Sequence, residues 1–372
     1  MKNLTHYSTL LFTVSLLLIS CSKEQPFDQE ITGETDPQYA VGGIFSKKAP
    51  KFNTMFNTYG NGWTGADATY SIPLPDGRTV WLFGDSFLDT VYADYSRPGS
   101  DLVRNTFVVQ TGTSLTTLVT NTIDDPEAFV STPDPVNEWY WPGDGTVIGE
   151  TLYVYMEYFI KTGGGIFDFH YVRTDLVAFS LPDLTEISRT PAFEDENIIW
   201  GASLMEDGSY IYVYGAEETA FTKYAHVARI PAGNIYGTKE FWNGSTWTTT
   251  EPASNFGRLE KQSGLALDVS AQYAVFYHAG KYRLVTQEGF LGPTIYTWES
   301  TSPKGPWKAR QTVYVTPETG GDLFTYNAFV HPQFVLADGS LLLSYNENSF
   351  NFFDLFEDAR IYRPKFVWFK YL

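Results

Sequence analysis

The sequence predicts an all-β chain folded as a five-bladed β-propeller with four-stranded blades. Three observations predict it. Helical periodicity is nearly absent, five strand–turn–strand units recur, and the acidic residues that close those units are spaced 59 to 72 residues apart. Alternating β-formers around a tight polar turn are the strongest local signal of a hairpin.

The first unit runs from Ala66 to Leu74, turns at Pro75–Arg78 and returns from Thr79 to Asp85. The second runs from Gly143 to Ile148, turns at Gly149-Glu150 and returns from Thr151 to Glu157. The third spans Trp200–Met205 and Tyr210–Glu217 around Glu206-Asp207-Gly208. The fourth spans Tyr273–His278 and Tyr282–Glu288 around Ala279-Gly280, and the fifth His331–Leu336 and Leu341–Glu347 around Ala337-Asp338-Gly339. An interval of this length leaves room for two further strands, such as Leu102–Gln110 and Tyr171–Ser180, and so for one propeller blade per unit. After the fifth hairpin only one clear strand remains, Tyr362–Tyr371. The segment Tyr39–Tyr59 is expected to supply the missing outer strand and close the ring.

The first twenty residues read as an export signal. Lys2 precedes a short apolar run, Leu10–Ile19, which ends in Leu18-Ile19-Ser20-Cys21. That ending resembles the lipobox of bacterial lipoproteins, which implies acylation of Cys21. Cys21 is also the only cysteine in 372 residues, so no disulfide can form within the chain. Residues 1–20 are thus assigned to a lipoprotein signal peptide, 21–38 to a polar tether and 39–372 to the propeller. The expected location is the cell envelope, lipid-anchored at the outer membrane, on its periplasmic or surface face. The only membrane attachment expected is the lipid, and the body is expected to be monomeric.

The net charge is −18 and the sequence is 17% aromatic, with 10 Trp and 25 Tyr. Such acidity argues against nucleic acid and polyanionic substrates. The aromatic excess suits a protein that stacks on the faces of neutral sugars, so an oligo- or polysaccharide is the expected partner.

In a propeller the start of each first strand and the end of each second strand gather at one mouth of the central channel. The first hairpin centres near Asp76, which places Asp67 opposite Asp85. Opposed carboxylates repel, so one keeps its proton while the other ionises, the division of labour that glycoside hydrolysis needs. Asp67 is assigned as base and Asp85 as acid, with the exchange of the two roles left open. The same mouth collects Asp144, Glu157, Glu217, Glu288, His331 and Glu347. Trp63, Trp141 and Trp200, at or just before the first three hairpins, are candidates for a sugar platform. Glu347 and His331 are further candidates for substrate binding. The sequence calls for no metal or cofactor. A central calcium ion is the one the architecture would admit, with His331 holding it through water.

The run Gly65-Ala-Asp67-Ala-Thr-Tyr-Ser, followed by Leu74-Pro-Asp-Gly-Arg78 and Val80-Trp-Leu-Phe-Gly-Asp85-Ser86, resembles the opening blade of bacterial propeller families similar to the endo-D-arabinanases. More distantly it resembles the arabinanase and fructosidase five-bladed glycosidases, and Ser302-Pro-Lys-Gly-Pro-Trp307 resembles a turn common among them. The resemblance implies that Asp67 and Asp85 are the catalytic carboxylates of an inverting glycosidase acting on furanosides. In the arabinanase pattern one acid comes from each of three successive blades. Asp67 and Asp144 match the first two, Trp200-Gly201 occupies the third, and Glu217 is the substitute from the neighbouring strand. Two other readings compete. One is a non-catalytic glycan-binding surface lipoprotein. The other is an esterase with Ser86 of Gly84-Asp85-Ser86 as nucleophile.

Overall fold

The structure is a computed structural model that describes residues 39–41, 43–60, 62–165, 168–219, 222–289 and 291–372. Cys21, the signal segment and the tether lie outside the described residues. All five predicted hairpins are present, and each forms the two inner strands of an antiparallel sheet. Blade 1 is Trp63–Pro73, Thr79–Leu88, Thr106–Thr111 and Ser114–Leu118, with Leu102–Val103 as a short extra pairing. Blade 2 is Glu138–Ile148, Thr151–Lys161, Phe169–Ser180 and Thr185–Phe193. Blade 3 starts with Ile198–Glu206, Tyr210–Glu218 and Lys223–Pro231 and ends in the short strands Glu240–Trp242 and Trp247–Thr248. Blade 4 is Tyr273–His278, Lys281–Gln287, Thr294–Ser300 and Lys308–Val315.

Blade 5 joins the two ends of the propeller. Leu323–Val335, Leu341–Ser349 and Pro364–Tyr371 come from the C-terminal part, and Ile44–Lys48 completes the sheet with Ile44 opposite Tyr371 and Lys48 opposite Val367. The N-terminal segment gives two strands here, because Tyr39–Val41 pairs on the outside of Ile44–Lys48. Radial closure leaves only short, protected strand edges, and this shared blade is the latch.

A short helix, Pro50–Met55, seals the seam between blades 5 and 1. Proline in its first turn lacks only an N–H that has no helical partner there. Phe52 and Phe56 are buried, and Phe52 meets Trp81 of blade 1 and Phe334, Phe366 and Trp368 of blade 5. Each such phenyl ring contributes roughly 1.5–3 kcal/mol by leaving water. Asn53 grips the backbone of Phe366 from both sides, donating to its carbonyl (3.0 Å) and accepting its N–H (2.8 Å).

His331 belongs to the same seam, which corrects its assignment as a ligand or ion residue. It is fully buried, with Nδ1 2.6 Å from the Ser71 hydroxyl of blade 1 and Nε2 2.8 Å from the Ser344 hydroxyl of blade 5. Burial pushes its pKa down to about 3, so the ring is neutral and both nitrogens are occupied.

Candidate active site

Bulges in the inner strands shape the mouth. The first strands of blades 1, 2, 3 and 5 all shift register near their mouth ends, at Ala66/Ala68, Pro142/Gly145, Trp200/Ser203 and Tyr326/Phe329. A bulge leaves a residue out of the ladder and re-aims its side chain. In blade 1 the predicted register holds on both sides, with Ala66 opposite Ser86 and Ser71 opposite Trp81. Between them Asp67 faces Gly84 and Asp85 without a ladder partner. Ala68 and Thr69 take left-handed backbone angles (φ 68° and 67°) to make the kink.

The two carboxylates meet contrasting neighbours. Asp67 accepts a hydrogen bond from the Tyr326 hydroxyl of blade 5 (2.7 Å), and the Tyr362 hydroxyl also bonds it. Asn348 donates to the Tyr326 oxygen at 3.0 Å and fixes that ring. Burial and the charge of Asp85 push the Asp67 carboxyl up to about 7, against the pull of the two tyrosines. Asp85 has a cation instead. Arg104 donates to it at 3.1 Å and the Trp141 indole N–H at 2.8 Å. Burial still raises Asp85, but Arg104 and Trp141 oppose the shift. Arg104 is held in turn over the ring of Trp139, 4.3 Å from its centroid.

Glu157 extends the site beyond Trp141, its cross-strand partner. It is half-buried, and burial together with the charge of Glu218 raises it to about 8. A carboxyl of this kind is largely protonated at neutral pH and offers an O–H as well as an acceptor.

Several assigned residues lie elsewhere. Asp144 is buried with both oxygens committed, one to the Gly145 N–H (2.8 Å) and one to the Leu204 N–H of the next blade (2.7 Å). It ties blade 2 to blade 3. Burial raises Asp144 to about 7 against these two bonds, whereas Glu217 is held as an anion. Burial alone would raise it, but the Arg258 guanidinium forks onto both oxygens at 2.6 Å, His226 adds a contact at 3.1 Å, and the carboxyl stays below its ordinary range. Glu347 is buried against Lys365 at 2.9 Å. Trp63 and Trp200 are core residues, 3% and 1% exposed, and leave no face for a sugar. Trp63 packs on Phe56 and Phe83, while Trp200 stacks on Phe193 and donates to Glu251 at 2.7 Å. Of the three tryptophans only Trp141 is half-exposed at the acid pair.

The glycine in the third blade has a packing reason. A Cβ on Gly143 would come within 2.6 Å of the Gly201 carbonyl, and Gly201 itself has φ +106°. The inner strands of blades 2 and 3 touch there, which excludes an acid. Ser86 is fully buried and bonded to the Gly84 carbonyl and Thr106 hydroxyl, both at 2.8 Å, so it is no nucleophile. Among the described residues no three His, Cys, Asp or Glu side chains converge on a metal position, and His331 does not fit the role of a calcium holder.

Sequence reasoning did not find Arg104, Tyr326 or Tyr362. They reach the acids from a loop of blade 1 and from blade 5, between about 20 and 300 residues away along the chain, and carry no local motif.

The fold is shared with a solved structure. A Bacteroides ovatus protein provisionally described as a hydrolase superposes with a TM-score of 0.76 at 23% identity, over 88% of this chain and 90% of that one. The GH43_1 enzyme from Xanthomonas citri complexed with xylotriose gives 0.49 at 12% identity, over 86% and 93%. The exo-β-1,3-galactanase from Phanerochaete chrysosporium gives 0.47 at 10%, over 83% and 63%. No curated protein matches. Residues 49–371 match the family described as a domain of unknown function (DUF5005), and the chain belongs to that family.

Proposed function

We propose that the protein is a glycoside hydrolase acting on a neutral, arabinofuranosyl or related polysaccharide, with Asp67 and Asp85 as its acid–base pair. The observation that carries this reading is the contrast between two carboxylates set in one bulge. Arg104 and an indole N–H favour the charge on Asp85, whereas Asp67 is bonded by two tyrosine hydroxyls and its own backbone N–H and is raised to about 7. These surroundings support the exchanged assignment, with Asp67 as the acid and Asp85 as the base.

In the reaction Asp67 gives its proton to the glycosidic oxygen as the bond from that oxygen to the anomeric carbon breaks. Asp85 takes a proton from the water that attacks the same carbon. The leaving sugar departs as an alcohol, the other product carries the water's oxygen, and the enzyme ends with its proton moved from Asp67 to Asp85. Inversion follows if water enters between them, which takes carboxylates ~6.5–9.5 Å apart, against ~5–5.5 Å for retention. The family resemblance favours inversion.

The test is a screen of the protein against arabinans, xylan, galactan and fructan with product detection, repeated with Asp67→Asn. Cleavage lost in the variant supports the reading. Cleavage at the wild-type rate overturns it. Binding without cleavage by either protein favours the glycan-binding alternative. We also propose that the protein is displayed on a lipid anchored at Cys21. An unlipidated mass for membrane-extracted protein would refute that part.

A further inference from the structure

We infer that Phe350, Phe324 and Tyr326 form a row of sugar subsites that leads a polysaccharide chain from the surface to the acid pair. The inference rests on the glycosidase reading and adds that the substrate is bound as an extended chain.

The row is continuous. Phe350 is 66% exposed, its ring lies 4.5 Å from that of Phe324, and Phe324 lies 5.5 Å from Tyr326, whose hydroxyl bonds Asp67. Phe324 and Tyr326 are half-exposed. Phe353, 73% exposed, stands in the same loop. That loop is anchored from below by Phe356 and the buried Leu355, which pack with Phe87. Aromatic rings held at the surface by a packed base are not spare core residues, and a large exposed apolar patch marks a place where something binds.

The occupant follows from the chemistry. The row is apolar on its ring faces and edged by the amide of Asn348, which suits the C–H faces and hydroxyl edges of sugar rings. The protein's net charge of −18 disfavours polyanionic chains, so the chain is neutral. Tyr326 also lines a cavity of about 300 Å³ with Lys223, Ser270, Gln287, Glu288 and Leu291. A space at the lower end of the range of small-molecule sites (~300–1,000 Å³) takes the end of a chain and not its length. The aromatic row, the acid pair and the cavity therefore meet at Tyr326.

The experiment uses the full chain with Phe350→Ala, Phe324→Ala and the conservative Phe350→Tyr. Each is assayed on whichever arabinan, xylan, galactan or fructan is cleaved and on a short oligosaccharide of the same linkage. Retention in native affinity gels containing the polymer is measured in parallel. The alanine variants should raise KM for the polymer roughly tenfold, leave kcat and the short substrate nearly unchanged, and lose gel retention. Phe350→Tyr should restore all of these. Wild-type KM and retention in both alanine variants overturn the inference and leave the hydrolase reading intact. Equal losses on short and long substrates also overturn it, since they would place the effect at the acid pair. Retention that depends on Phe350 without any cleavage supports the subsites and overturns the hydrolase reading. A polymer panel neither cleaved nor retained overturns both.

Discussion

Gly84 stands where any side chain would strike Asp67: a Cβ added there would lie 2.5 Å from the Asp67 Oδ1 and 3.7 Å from Trp141. The missing side chain is what lets the bulged carboxylate sit against the neighbouring strand, beside Asp85. Gly84 has no left-handed backbone angle, so alanine would be tolerated by the main chain. The obstructed atom is the end of a short side chain held by Tyr326 and Tyr362.

Gly84→Ala is therefore expected to fold normally and to displace the carboxylate. A catalytic group moved by about 1 Å loses on the order of 100-fold in rate. The measurement is kcat on the cleaved polysaccharide beside a thermal melt. Loss of activity in a variant that still melts cooperatively, only a few degrees lower, is the expected pair of results, and unchanged activity would show that Asp67 has no fixed role.

Asp67→Asn and Asp85→Asn should each lower turnover about 10²–10⁴-fold while leaving polymer binding nearly intact, since general acid–base assistance is typically worth that much. The wild-type profile should be a bell. Its alkaline limb falls through about 7 as the pair loses the proton that Asp67 carries, and its acid limb marks protonation of Asp85. Arg104→Met removes the cation that favours Asp85 as an anion, so its acid limb should move to higher pH. A profile that does not respond to Arg104 would exclude Asp85 as the base.

Much of this architecture is written locally. The five hairpins show themselves through alternating β-formers and Asp-Gly or Ala-Gly turns, and the shortage of a final strand pointed to the N-terminal segment that pairs with Pro364–Tyr371. The Asp67–Asp85 alignment was also legible, because the register on both sides of the bulge follows from the turn at Asp76. Burial between blades was not legible. Trp63 and Trp141 occupy similar places in their hairpins, yet one packs against Phe56 and Phe83 while the other donates to Asp85. The same limit governs Asp144 and Glu217, whose partners Leu204, Arg258 and His226 lie on other strands or loops. An acid at a strand end looks the same in sequence whether it is free or committed.

Glu157→Gln should separate a neutral hydrogen-bonding role from a charged one. The folded-state pKa of Glu157 is raised to about 8. Its contribution to stability is therefore full below its ordinary pKa and is lost as pH rises through about 8, because the unfolded chain gives up the proton first. The glutamine keeps the neutral shape and cannot ionise. The variant should melt like the wild type near pH 4 and a few degrees higher near pH 9. A wild-type melting temperature at both pH values would mean that Glu157 ionises normally.

Glu217→Gln is the last test, and it separates an architectural carboxylate from a catalytic one. Glu217 holds both arms of Arg258 at 2.6 Å and meets His226 at 3.1 Å, and these partners keep it charged against the cost of burial. Its pKa is depressed, so the stability it supplies is present above its ordinary value and is lost as pH falls through the lower one. The amide keeps one acceptor for Arg258 and removes the countercharge. Hydrogen bonds between charged groups contribute about 1.5–3 kcal/mol, so the variant should lose about that much at neutral pH and less in acid. Denaturant unfolding at two pH values measures both. Turnover under conditions where the variant is fully folded should remain within a few-fold of wild type, since no atom of Glu217 is left free to carry a proton. A loss approaching that of Asp67→Asn in fully folded protein would return Glu217 to the catalytic machinery and remove the basis for confining the chemistry to blade 1.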